Sequence, residues 1–168
     1  MLESKYTRRI TAKDLLALGV MFESKGADAF SRLAKWFGRD PELTSRLQGL
    51  AGQDLATAKL FRDLLRDLKA NEGVFVDEAD YQLVRQLEPE NCIPLNLEHP
   101  DELDPKAALM GMLRYEKKML GFAKGLMEHR RGYNDVLPPL PQVMQMVKAE
   151  EAQVAELEDL IMNRYPLN

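Results

Sequence analysis

Four long stretches of this chain repeat apolar residues every three or four positions, and each carries an acidic residue near the middle of its apolar stripe. A repeat of that length is the signature of an α-helix with one face turned to a core. The first stripe reads Leu16, Val20, Glu23, Ala27, Phe30, Ala34, Phe37, and the second Leu43, Leu47, Leu50, Asp54, Thr57, Phe61, Leu64, Leu68. The third reads Leu109, Met112, Glu116, Leu120, Ala123, Met127, and the fourth Val143, Val147, Glu151, Val154, Leu157, Ile161. Whatever the chain folds into must pack four helices and also accommodate these acids.

Composition supports the helical reading. Leu and Ala together number 43, whereas the β-branched Val, Ile and Thr number only 15. Unbranched side chains suit helices and β-branched ones suit strands, so an all-α fold is expected and a β-sandwich or barrel is not. A length of 168 residues suits a single domain spanning residues 1–168.

Local signals bound the helices. Thr11 with Asp14 resembles a capping box at the start of the first, which runs to about Phe37 before Gly38. Asp40 followed by Pro41 is an N-cap with proline at the first helical position, and the second helix runs to about Ala70. Asp104 and Pro105 repeat that opening for the third, which closes in His129-Arg130-Arg131-Gly132. The fourth begins within Pro138–Pro141 and reaches about Arg164. The connection between helices two and three, residues 71–104, is far longer than most in compact domains. It holds a short apolar run, Val74 to Val76, and a candidate short helix from Glu78 to Leu87. Short, long and moderate links describe a four-helix bundle with one long crossover, the ferritin-like topology.

Buried carboxylates cost several kcal/mol each unless neutralised or paired, and no Lys or Arg occupies these stripes. Two arrangements solve the problem: protons held because like charges raise the pKa values, or a multivalent cation among the acids. The acids also repeat. Glu23 and Asp54 are 31 positions apart, Glu116 and Glu151 are 35, so the first helix pair looks like the second, and an approximate two-fold would gather four carboxylates at the bundle centre.

With these features the chain resembles the rubrerythrin-like branch of the ferritin-like superfamily over nearly its whole length outside the crossover. The segments that carry the resemblance are Glu23 to Ala34, Leu50 to Phe61, Glu116 to Phe122 and Ala149 to Val154. The family pattern places a lone Glu on helices one and three and Glu-x-x-His on helices two and four. Here Asp54 replaces Glu on helix two, and Thr57 and Val154 stand at the positions the resemblance implies for histidine. It implies a metal site of Glu23, Asp54, Glu116 and Glu151, with Glu150 as an alternate. The cofactor it implies is a divalent metal, iron or manganese, with oxidoreductase chemistry on peroxide or ferrous iron. Four carboxylates would balance two divalent cations, and an all-oxygen set suits Mn²⁺, Fe²⁺, Mg²⁺ or Ca²⁺. The alternative is a non-catalytic bundle with a degraded site that serves as a structural or partner-binding module.

Other features narrow the partners. A net charge of −4 argues against nucleic acid. A single cysteine, Cys92, excludes a Cys-x-x-Cys zinc or rubredoxin-type iron site. Of the two histidines, His99 lies in the crossover, and His129 is about 20 Å along its helix from Glu116, where a helix-end cation is its simplest role. Met110, Met112, Met119 and Met127 are expected to fill core space. No stretch approaches the ~20 apolar residues needed to span a membrane, and Met1 to Ile10 lacks a signal-peptide core, so a cytoplasmic protein with no membrane partner is expected. The resemblance implies oligomerisation, commonly a homodimer through a bundle face. Trp36 and Phe37 could serve such a contact, but burial within the monomer is the simpler expectation.

Overall fold

The computed structural model describes residues 9–68, 73–75, 104–132 and 140–166. The elements run β1 (Arg9–Thr11), α1 (Ala12–Trp36), α2 (Pro41–Asp67), β2 (Gly73–Phe75), α3 (Pro105–Gly132) and α4 (Leu140–Arg164). The all-α reading holds: the body is a four-helix bundle. The candidate short helix at 78–87, Cys92 and His99 lie outside the described residues, as do the side chain of His129 and most of the long connection between α2 and α3.

The sequence signals act where expected. Asp40 has extended backbone angles and accepts the Leu43 amide through its carboxylate at 3.0 Å, capping α2, and Arg164 pairs with its other oxygen. Asp104 does the same for α3, accepting the amides of Lys106 and Ala107 at 3.2 and 3.3 Å. The short α1–α2 connection is closed by Thr44, whose hydroxyl donates to the Ala34 and Phe37 carbonyls at 3.3 and 3.0 Å.

The bundle is built from two hairpins. α1 packs along α2 and α3 along α4, and the pairs meet through α2 with α4 and α1 with α3. Their apolar faces form one core in which Leu16, Phe30, Leu33, Leu47, Leu50, Leu109, Met112, Val143 and Leu157 are fully enclosed. Trp36 and Phe37 are half-buried against this core, in accord with burial inside the monomer. Met112 and Met119 fill it and Met127 packs at its margin, but Met110 is 36% exposed. Phe22 of α1, Phe61 of α2 and Phe122 of α3 form an aromatic group. Phe22 and Phe122 meet edge-on with centroids 6.3 Å apart, and Phe61 and Phe122 stand 6.1 Å apart. Phe61 fits because residue 19 is glycine; a Cβ there would stand 2.5 Å from its ring.

One small element departs from the helical reading. Gly73–Phe75, overlapping the apolar run after α2, pairs antiparallel with Arg9–Thr11 just ahead of α1, with Ile10 opposite Val74. The β-branched residues Ile10, Thr11 and Val74 favour extended backbone. Among the described residues, no helix is long and apolar enough to cross a membrane.

Candidate metal centre

Each helix delivers one carboxylate to the interior: Glu23 from α1, Asp54 from α2, Glu116 from α3 and Glu150 from α4, each 1% exposed. Three of these are the acids named first from the sequence, and the fourth is a correction: the alternate, Glu150, in place of Glu151. Glu151 lies on the exposed side of α4, where it pairs with Lys124 at 3.1 Å, and its neighbour Glu150 is the acid that enters the core. The buried face of α4 runs Val143, Met146, Glu150, Gln153, Leu157 and Leu160, while Val147, Val154 and Ile161 flank it at 7–8% exposure. The stripe read through the valines shares Val143 and Leu157 with this face but falls one residue late at Val147, Glu151, Val154 and Ile161. Met146 and Gln153, spaced with Glu150 at helical intervals, were the signal that identifies the inner face.

The corrected register also moves the position three residues after the α4 acid. It is Gln153, not Val154. Gln153 is fully buried, and its Nε2 donates a short hydrogen bond to Asp54 Oδ1 across the α2–α4 contact. Thr57, three residues after Asp54, is buried at 2%.

Two further contacts set the layer. Tyr115, next to Glu116, donates its hydroxyl to the carbonyl of Phe22, next to Glu23, at 2.5 Å. That bond joins α3 to α1 between the residues adjacent to the two glutamates. Gly26 leaves room for Asp54: a Cβ at that position would fall against Asp54 Oδ2 and stand 3.1 Å from Tyr115 Cε1. Nothing in the sequence pattern marks Gly26, because the close approach is made by a residue 28 positions away.

The electrostatics follow from burial. Desolvation pushes the pKa of every one of the four acids up, since a low-dielectric interior disfavours the charged form. Asp54 rises to about 8, through burial against the opposing Gln153 hydrogen bond and with a contribution from Glu150. Glu150 rises to about 7 through burial, partly offset by the neighbouring Glu23 side chain. Glu23 and Glu116 are likewise raised well above the usual carboxylate range, through burial and the charges of the other acids. Among the described residues, seven buried side-chain atoms have no hydrogen-bond partner: Glu23 Oε1, Asp54 Oδ2, Gln153 Oε1, and both carboxylate oxygens of Glu116 and of Glu150. Among the described residues no Lys or Arg is buried with them.

The four acids are close enough to feel one another's charge, yet among the described residues no three or more His, Cys, Asp or Glu side chains are drawn up in a ready metal-ligating group. The arrangement is a carboxylate-lined layer in which the side chains would have to move inward to share one ion.

No family model matches the chain, and no curated protein matches it. Among solved structures the chain is similar to one designated a ferritin-like diiron-carboxylate protein from Thermotoga maritima, with a TM-score of 0.66 and 16% identity, covering 96% of this chain and 100% of that one. The likeness extends over the whole bundle and shows its fold: this is a ferritin-like four-helix bundle.

Proposed function

We propose that the protein is a ferritin-like metal-binding protein whose centre is formed by Glu23, Asp54, Glu116 and Glu150. The observation that carries this reading is the set of six carboxylate oxygens buried without a hydrogen-bond partner or a buried cationic side chain. Buried carboxylates demand compensation, and a set of oxygen donors with a combined charge of about −4 suits one or two hard divalent cations. The structural neighbour's designation as a diiron-carboxylate protein agrees with iron as the metal; manganese suits the same donors. Bound there, such a centre would supply redox chemistry on oxygen or peroxide, as the resemblance to rubrerythrins implies. The protein's own contribution would be to tie α3 to α1 beside the two glutamates, through the Tyr115–Phe22 bond, and to exclude water, through the aromatic group formed by Phe22, Phe61 and Phe122.

The test is metal content. Protein purified without chelator under reducing conditions should carry iron or manganese by elemental analysis, and Glu116→Gln should lower the amount. Protein that carries none, and whose unfolding is unmoved by saturating Fe²⁺ or Mn²⁺, would sink the proposal.

A second reading is favoured by the raised proton affinities and by the lack of a ready ligand group. In it the acids are held protonated and the bundle serves as a structural or partner-binding module. Replacing one acid by an apolar residue then removes a burial cost and raises stability, whereas in a metal protein it forfeits the stabilisation that bound metal provides. Unfolding of Glu116→Leu with and without added Mn²⁺ separates the two.

A further inference from the structure

We infer that the groove between the start of α3 and the end of α4 is a binding site for a free aliphatic carboxylate, its tail laid along the apolar floor and its head group held by Lys106 and Tyr165. The site is separate from the acid layer. Met162, which lines it, lies twelve residues beyond Glu150 on α4, about 18 Å along the helix.

The groove has a volume of about 790 Å³, within the roughly 300–1,000 Å³ typical of small-ligand sites. Leu113 of α3 and Ile161 of α4 are its most buried apolar residues, while Met110 and Met162 line it at 36% and 69% exposure. A single exposed methionine is ordinary. Two of them beside a cleft floored by leucine and isoleucine make a continuous apolar surface, and covering it is favourable. Thioether side chains adapt to irregular apolar shapes, which suits a flexible hydrocarbon tail. Eight residues line the groove, whereas a stable protein interface draws on about 20–30 a side, so a small molecule fits it better than a macromolecule.

Charge at the rim selects the head group. The two ionic side chains that line the groove are Lys106 and Glu158. Glu158 is already paired with Lys117 at 2.7 Å, and Asp104, two residues before Lys106, accepts the first α3 amides. Among the described residues, the Lys106 ammonium makes no ion pair and the Tyr165 hydroxyl makes no hydrogen bond. The Lys117–Glu158 and Lys124–Glu151 pairs show that α3 and α4 run in opposite directions. Lys106, at the start of α3, and Tyr165, just past the end of α4, therefore stand at one end of the groove. An ammonium and a phenolic hydroxyl both donate to a carboxylate. The other end carries Glu158, which disfavours an anion, so the tail runs toward it.

The experiment is calorimetry on the full chain with excess chelator, using decanoate, decanol and decyltrimethylammonium, each below the concentration at which it aggregates. Decanoate should bind at one molecule per chain and more tightly than either of the others. Lys106→Ala should weaken decanoate by about two- to fivefold, the usual worth of one exposed ion pair, and leave decanol unmoved. Met162→Glu, at an exposed position, should weaken both decanoate and decanol by on the order of tenfold or more with the melting temperature unchanged. Equal binding of the ammonium and the carboxylate overturns the choice of head group, and decanoate binding that Met162→Glu does not move overturns the site. Self-association in sedimentation, or capture by phosphatidylglycerol vesicles, that Met162→Glu abolishes while decanoate fails to bind gives the groove to a second copy or a membrane surface and overturns the proposal.

Discussion

Raising the pH in the presence of a chelator should destabilise this protein across the range where most proteins are at their firmest. The perturbation acts on the four buried acids. In the unfolded chain they lose their protons near 3.8 for Asp and 4.5 for Glu, whereas in the fold Asp54 keeps its proton to about 8 and Glu150 to about 7. Between those limits the native state binds more protons than the unfolded one, so stability must fall as pH rises. For Asp54 and Glu150 it is fully present below about pH 4 and is lost as pH rises through about 7 and about 8. At about 1.4 kcal/mol for each pH unit, Asp54 accounts for a loss on the order of 5 kcal/mol and Glu150 for about 3. The two share neighbours and do not simply add. Even one of these losses is a large part of the 5–15 kcal/mol that typically holds a domain together. The assay is urea unfolding followed by circular dichroism between about pH 5 and about pH 8.5 with excess chelator, read as the shift in midpoint at constant slope. A midpoint that stays flat or rises across that window would refute the reasoning. Repeating the series with saturating Mn²⁺ should flatten or reverse the trend, because a cation competes with the protons and binds more tightly as they leave.

Three further outcomes are expected. Glu150→Gln should reduce bound metal, while Glu151→Gln should leave it unchanged and cost no more than about 1 kcal/mol, the usual worth of an exposed ion pair such as that with Lys124; elemental analysis and thermal unfolding check both. Gly26→Ala should lower the melting temperature, since about 1–3 kcal/mol of overpacking against Asp54 outweighs the gain of about 1 kcal/mol in helix propensity. Gly49→Ala, with open space around it, should raise it. Asp40→Ala should cost about 1 kcal/mol or somewhat more by denaturant unfolding, because it removes the α2 cap together with the contact to Arg164.

The fold was legible because its signals are local and redundant. Asp40-Pro41 and Asp104-Pro105 start helices where they stand, and three-to-four-residue periodicity places Glu23, Asp54 and Glu116 inside without reference to the rest of the chain. The acid of α4 was not legible in the same way. Glu150 and Glu151 are adjacent, and apolar residues lie on both sides of the true face, so a stripe through Val147 and Val154 was as regular as the correct one. What decides between them is non-local: Lys124 draws Glu151 outward, and Asp54, 99 positions from Gln153, receives the amide that fixes the inner face. The β1–β2 ribbon escaped for a related reason. Each strand is three residues long and has no meaning without the other.

The division of the bundle into two hairpins has a consequence for how the molecule comes into being. Glu23 and Asp54 belong to the first hairpin, Glu116 and Glu150 to the second, so neither half holds more than two of the acids. The most costly feature of the native state is thus absent from every separate segment of the chain. It arises only when the halves close on each other, and during synthesis that cannot happen until the last helix has left the ribosome. A nascent chain can fold its first hairpin without bearing that cost, and the burden falls on the final docking step, when the tyrosine of α3 finds its carbonyl on α1.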